Sequence, residues 1–121
     1  MIPQVVIVVV EDDPAVNESL VLSLEKAGFQ VQTFFTVEAF EKEALAPADV
    51  YLLDRQLGGT DGLDLCRRLK SKPLTQNIPV VIMSASPEAA QYMHEAGGDM
   101  FLEKPFTRKQ LLDTLAKVLK S

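Results

Sequence analysis

The sequence predicts an α/β fold in which helices cover a parallel β-sheet. Five short apolar segments alternate along the chain with longer segments that have the spacing of helices. Strands and helices that alternate in this way usually form a parallel sheet, because parallel neighbours need a crossover between them. The chain of 121 residues matches the size of one domain and is too short for two cores. We therefore expect residues 1–121 to form a single domain.

The five predicted strands differ in polarity. They are Val5–Val10, Gln30–Phe34, Val50–Leu53, Pro79–Met83 and Met100–Glu103. The first, third and fourth are almost entirely apolar, which is typical of central strands that are buried on both faces. The second alternates polar and apolar residues, which is typical of an edge strand.

Four predicted helices begin after a residue whose side chain can accept a hydrogen bond from the first turn. These candidate caps are Asp13, Thr36, Ser86 and Thr107. Proline follows Asp13 and Ser86 directly, as is common in the first turn of a helix. Gln110 lies three residues after Thr107 and completes the pattern of a capping box. Gly28 and the Gly97-Gly98 pair indicate helix ends.

The composition excludes several classes of protein. A hydrophobic fraction of 47% excludes a disordered chain, and the net charge of -5 opposes direct binding to nucleic acid or to anionic lipid surfaces. The longest apolar run, Val5–Val10, is too short to span a bilayer, so we expect a cytoplasmic protein. Cys66 is expected to be a small buried residue of a helix, and His94 receives no functional role.

Polar residues follow four of the predicted strands. Glu11-Asp12-Asp13 follows the first strand, Asp54 the third, Ser84 the fourth and Lys104 the fifth. The carboxyl ends of strands in an open parallel sheet meet at one edge, which is where such sheets bind ligands. We therefore expect these side chains to lie close together.

This set of side chains is suited to the transfer of a phosphoryl group. Glu11, Asp12 and Asp54 would repel one another strongly unless a cation lay between them. Mg²⁺ prefers oxygen ligands of this kind, and Lys104 supplies a second positive charge. With the hydroxyl of Ser84, the site has a nucleophile, two neutralising charges and a hydrogen-bond donor.

Four segments resemble the signature segments of response-regulator receiver domains. They are Val8–Pro14, Leu52–Asp54, Met83–Ala85 and Glu103–Phe106. They occur in the order and at about the spacing of that family, and the resemblance covers essentially the whole chain. It implies a flavodoxin-like, doubly wound (βα)₅ fold with the strand order 2-1-3-4-5.

The resemblance also implies a role for each residue of the candidate metal site. Asp54 corresponds to the phosphoacceptor and Asp12 to a direct Mg²⁺ ligand. Glu11 would support the ion largely through water. The backbone carbonyl of Gln56 would complete the metal ligands from the protein.

The remaining implied roles concern switching. Lys104 would pair with Asp54 and then with the phosphoryl oxygens, and Ser84 would move toward the phosphoryl group and donate a hydrogen bond to it. Phe101 occupies the position of the family's switch aromatic residue. The peptide between Lys104 and Pro105 corresponds to one that is cis in receivers.

The sequence departs from the family pattern in two places near the switch region. Receivers usually have a proline four residues after the phosphoacceptor. This chain has Gly58-Gly59 there, so we expect a looser loop. The segment between Ser84 and Lys104 is slightly short, which predicts a reduced fourth helix or a tightened loop.

The resemblance implies a signalling switch that accepts a phosphoryl group from a histidine kinase or phosphotransfer protein. It would catalyse only its own phosphorylation and dephosphorylation, and phosphorylation would change the face formed by the fourth helix, fifth strand and fifth helix. A homodimer through that face is left open. One alternative is an aspartate-nucleophile phosphatase, although such enzymes usually have Asp-x-Asp where this chain has Gln56. Another is a docking module that is never phosphorylated. The cognate kinase, the stimulus and the output are not predicted.

Overall fold

The computed structural model describes residues 4–43 and 48–120 and contains a parallel sheet of five strands. The strands are β1 (Val6–Val10), β2 (Gln30–Phe34), β3 (Val50–Asp54), β4 (Val80–Ser84) and β5 (Met100–Glu103). Their order is β2-β1-β3-β4-β5, which confirms the predicted order 2-1-3-4-5. The predicted single domain also includes residues 1–3, 44–47 and 121, which lie outside the described residues.

Five helices cover the two faces of the sheet. They are α1 (Pro14–Lys26), α2 (Val37–Glu43), α3 (Gly62–Lys70), α4 (Ala89–Glu95) and α5 (Arg108–Leu119). Apolar residues of α1 and α5 pack on one face, and those of α2, α3 and α4 pack on the other. Successive strand residues point to opposite faces, so Ile7 and Val9 belong to the first core and Val8 and Val10 to the second.

Three of the four predicted caps are confirmed. Asp13 accepts hydrogen bonds from the backbone N–H groups of the first turn of α1, and Thr36 accepts one from Ala39 at 3.0 Å. Thr107 and Gln110 form the predicted capping box of α5.

None of the described helices is long and apolar enough to cross a bilayer.

The predicted helix start at Ser86 is wrong. The chain from Ser86 to Glu88 forms a turn, in which the N–H of Ala89 donates to the carbonyl of Ser86 at 3.0 Å, and α4 begins only at Ala89. Glu88 precedes this helix without a side-chain capping bond. The helix is therefore only seven residues long, which agrees with the expected reduced fourth helix.

The segment after β3 is a hairpin where a looser loop was expected. Gln56–Leu57 pairs with Thr60–Asp61 in an antiparallel ladder, with Gly58-Gly59 as the connecting turn. Gly58 has a φ of +65°, a conformation that glycine adopts without strain. The glycine pair thus supplies the turn of an ordered hairpin.

Candidate functional site

Three carboxylates meet at the carboxyl ends of β1 and β3. These strands are adjacent, with Val10 paired to Leu53, so Glu11 and Asp54 are also neighbours. One carboxylate oxygen from each of Glu11, Asp12 and Asp54 lies within 4.8 Å of the others. Glu11 is fully buried and Asp54 is 6% exposed, whereas Asp12 is open to solvent. Such a group of oxygens could hold a metal ion.

Lys104 brings a positive charge to the buried side of this cluster. Its Nζ donates to Glu11 Oε1 at 2.7 Å and to Asp54 Oδ1 at 3.1 Å. The chain positions Lys104 directly after β5, and the Lys104-Pro105 peptide is cis, as predicted. The expected meeting is therefore observed for the ends of β1, β3 and β5.

The buried position of the cluster changes the pKa of Glu11 and that of Lys104. Burial raises the pKa of Glu11 to about 7, although its hydrogen bonds from Lys104 and from the N–H of Asp13 act in the opposite direction. Burial lowers the pKa of Lys104, but the hydrogen bond to Glu11 and the charge of Asp54 outweigh this and raise it overall. One ammonium therefore does not fully offset the burial of the Glu11 carboxylate, and a further cation would stabilise its charged form.

Both oxygens of Glu11 already have donors from the protein. Lys104 donates to Oε1, and the backbone N–H of Asp13 donates to Oε2 at 3.2 Å. The exposed carboxylate of Asp12 accepts no hydrogen bond from the described residues, and Asp12 lines the cleft that also contains Gln56 and the hairpin turn. This difference is consistent with Asp12 as the direct ligand and Glu11 as a supporting carboxylate.

Ser84 lies on β4, next to β3, and Phe101 lies on β5, one strand further along the sheet. Ser84 is the last residue of β4, is 6% exposed, and its Oγ accepts a hydrogen bond from the N–H of Ser86 at 3.1 Å. Phe101 is half-buried on β5 and packs against the core beneath α3 and α4. The roles of both residues, and that of the Gln56 carbonyl, stay predictions.

Two residues that hold the backbone of the site were not predicted from the sequence. Asn17 is buried on α1, and its Nδ2 donates to the carbonyl of Glu11 at 3.0 Å and to that of Phe34 at 3.4 Å. Its position on an apolar helix face, in register with Leu20 and Leu24, was an available signal. Gly62 begins α3, and a Cβ there would overlap the carbonyl oxygen of Asp54.

Comparisons with known proteins agree with this geometry. Residues 7–116 match the family model of the response regulator receiver domain. The phosphate regulon transcriptional regulatory protein PhoB of Pseudomonas aeruginosa is 33% identical over 94% of this chain and 51% of its own length. The chain thus spans about half the length of the curated relatives it matches.

Two solved structures share the fold over almost the whole chain. A candidate response regulator from Chloroflexus aurantiacus has a TM-score of 0.92 and 30% identity, with 98% of this chain and 100% of that one covered. Chemotaxis protein CheY4 of Vibrio cholerae has a TM-score of 0.89 and 26% identity, with 97% and 100% covered. The strand order, the acidic cluster with its lysine and the family match lead to one conclusion: the chain belongs to the receiver domain family of two-component response regulators.

Proposed function

We propose that the protein is a phosphoacceptor switch whose phosphorylation site is Asp54. The observation that supports this most is the buried carboxylate of Asp54, which accepts a hydrogen bond from the Lys104 ammonium and has an oxygen within 4.8 Å of oxygens of Glu11 and Asp12. The carboxylate thus has a positive charge beside it and oxygens suited to Mg²⁺ nearby. We propose residues 1–121 as one receiver domain, acting in the cytoplasm.

Asp12, Asp54 and the carbonyl of Gln56 would hold Mg²⁺, with Glu11 acting through water. When bound, the ion would neutralise charge on the phosphoryl oxygens during transfer. An oxygen of Asp54 attacks the phosphorus of a phosphohistidine on a histidine kinase or phosphotransfer protein. The P–N bond breaks, its electron pair goes to the imidazole nitrogen, and the new bond is an acyl phosphate on Asp54.

Lys104 and Ser84 would follow the phosphoryl group after transfer. Lys104 exchanges part of its contact with Asp54 for the new oxygens, and Ser84 moves from Ser86 to donate a hydrogen bond. Movement of Ser84 pulls the turn that leads into α4, and Phe101 on β5 adjusts to it. We propose that the face of α4, β5 and α5 changes in this way, and that a homodimer through this face is one form of output.

Mass spectrometry after incubation with acetyl phosphate and Mg²⁺ tests the assignment. The wild-type protein should gain one phosphoryl group, and Asp54→Asn should gain none, because an amide is not a nucleophile of this kind. Asp13→Asn is the matched control, since asparagine still caps α1 and Asp13 is not assigned to the site. Phosphorylation of Asp54→Asn would show that the assignment is wrong.

A further inference from the structure

Arg55 connects the end of β3 to α4. It directly follows Asp54, and its guanidinium carbon lies 5.6 Å from the centre of the Tyr92 ring on α4. Its Nε lies 3.9 Å from an oxygen of Asp61, at the far limit of an ion pair. The function proposed above gives this arginine no role, although it is the residue next to the phosphoacceptor.

The backbone of Arg55 is fixed while its side chain is only weakly held. Its N–H donates to the carbonyl of Met83 at 2.9 Å, and its carbonyl accepts from the N–H of Gly62 at 2.7 Å. Arg55 lines the same cleft as Asp12. A change of partner by the guanidinium therefore needs only side-chain rotation.

The two present partners of the guanidinium are weak ones. Tyr92 is 44% exposed. The interaction energy between a cation and a ring that is open to solvent is small. The pair with Asp61 is long and partly exposed, and pairs of this kind contribute little either. A phosphoryl group on Asp54 would bring nearly two negative charges to the neighbouring residue, and arginine binds such groups through strong paired hydrogen bonds.

We propose that Arg55 is a further phosphoryl-binding residue, whose guanidinium exchanges the Tyr92 ring for the phosphoryl group on Asp54. This proposal rests on the proposed function. Phosphorylation then releases Tyr92 from the end of β3. Because α4 is only seven residues long and has no side-chain cap, loss of this contact removes one of the links that hold it to the site.

Tyr92 and the phosphoryl group would compete for one guanidinium. Removal of the Tyr92 ring should therefore strengthen binding of the phosphoryl group. The probe is beryllofluoride with saturating Mg²⁺, an analogue of the phosphoryl group, titrated by calorimetry. Arg55→Gln should weaken its binding about fivefold or more. Tyr92→Leu should strengthen it about two- to fivefold, because the competing contact is gone. Tyr92→Phe keeps the aromatic face and should bind like the wild type.

Fluorine NMR of protein labelled with 3-fluorotyrosine follows the release directly. The chain has two tyrosines, and Tyr92→Phe identifies the signal of Tyr92. Beryllofluoride should shift this signal in the wild type and leave it almost unchanged in Arg55→Gln. Tyr51 is buried in the core and reports whether each variant is folded.

The outcomes separate the two proposals. If acetyl phosphate modifies Asp54 but Tyr92→Leu binds beryllofluoride no more tightly than the wild type, the exchange is overturned and the phosphoacceptor assignment is not. An equal shift of the Tyr92 signal in the wild type and in Arg55→Gln also overturns the exchange. Failure of the wild type to accept a phosphoryl group on Asp54 overturns both.

Discussion

The backbone around Asp54 is confined as closely as its side chain. The first residue of α3, Gly62, lies against the peptide that follows Asp54, and a Cβ at this position would overlap the Asp54 carbonyl oxygen. Asp61 caps the same helix by accepting a hydrogen bond from the N–H of Leu63 at 2.9 Å. The close approach therefore fixes where α3 begins relative to the candidate phosphoacceptor.

Gly62→Ala should lower the free energy of unfolding by about 1–3 kcal/mol, because the new methyl group must displace backbone. Gly59→Ala is the matched control, since its Cβ meets nothing within 4 Å and its φ is not positive. Urea unfolding followed by circular dichroism measures both variants. Equal stability of the two variants would show that the space beside Asp54 is not limiting.

The raised pKa of Glu11 predicts a pH dependence of stability. Glu11 has a pKa of about 7 in the folded protein, whereas a free glutamate carboxyl has a pKa of 4.5. The unfolded chain therefore loses this proton first, so the stability from Glu11 is fully present below pH 4.5 and is lost as the pH rises to about 7. In buffer with a chelator, the wild type should show this loss and Glu11→Gln should not. If Glu11→Gln lost the same amount of stability over this pH range, another group would be responsible.

At the level of the elements, two adjacent acids at the start of α1 have different surroundings. Asp13 accepts hydrogen bonds from the N–H groups of Ala15 and Val16 at 2.9 and 3.2 Å and so caps the helix. Asp12 has its carboxylate in the acidic cluster instead. Between β1 and α1 the chain changes direction. Asp13 therefore lies at the start of the helix, and Asp12 lies at the carboxyl edge of the sheet.

Substitution should therefore affect these neighbours in opposite ways. Asp13→Ala should lower the free energy of unfolding by about 1 kcal/mol and leave Mg²⁺ affinity nearly unchanged. Asp12→Ala should weaken Mg²⁺ binding roughly tenfold or more and cost no stability without the ion, because it removes one of three repelling charges. Calorimetric titration with Mg²⁺ and urea unfolding give the two readings. Loss of Mg²⁺ binding in Asp13→Ala would contradict this division.

The sheet could be predicted from sequence because its residues have strong local patterns. The apolar runs set the central strands, and the alternation in Gln30–Phe34 set the edge strand β2. The start of α4 was misplaced because Ser86 and Pro87 suit a turn as well as a helix cap. The hairpin after β3 was missed, because two-residue strands are too short to have a periodic pattern.

The same contrast holds for the candidate site. The meeting of Glu11, Asp12, Asp54 and Lys104 follows from parallel topology, since each residue lies at a carboxyl strand end. The contact between Arg55 and Tyr92 could not be predicted in this way. It joins a loop to a helix through long side chains, whose directions depend on the packing around them and not on the strand pattern.

At the scale of the whole molecule, the two cores lie on opposite faces of one sheet. Leu24 and Leu115 belong to one core and Phe40 and Cys66 to the other, while each of β1, β3 and β4 contributes residues to both. Because the central strands are shared, neither face can open far without disturbing the other. We therefore expect cooperative unfolding, with the carboxyl edge of the sheet linked to both cores.

Cys66 provides a probe of this cooperative opening. It is fully buried on α3, its Sγ lies 3.6 Å from the carbonyl of Ala96, and burial raises the pKa of its thiol to about 11. The thiolate is the reactive form, so a disulfide reagent at pH 8 should modify Cys66 only when the protein opens. Modification should be slow in native buffer and fast in concentrated urea.

Mg²⁺ at about 100 times its Kd should then slow modification about 100-fold, because an ion that binds only the folded protein lowers the open population by that factor. The slowing should fall to about 10-fold or less in Asp12→Ala, whose Cys66 is unchanged but whose acidic cluster has one carboxylate fewer. Stopped-flow measurement of thiol release follows the reaction. Fast modification that Mg²⁺ does not slow would mean that α3 opens locally, independently of the carboxylates at the end of β1 and β3.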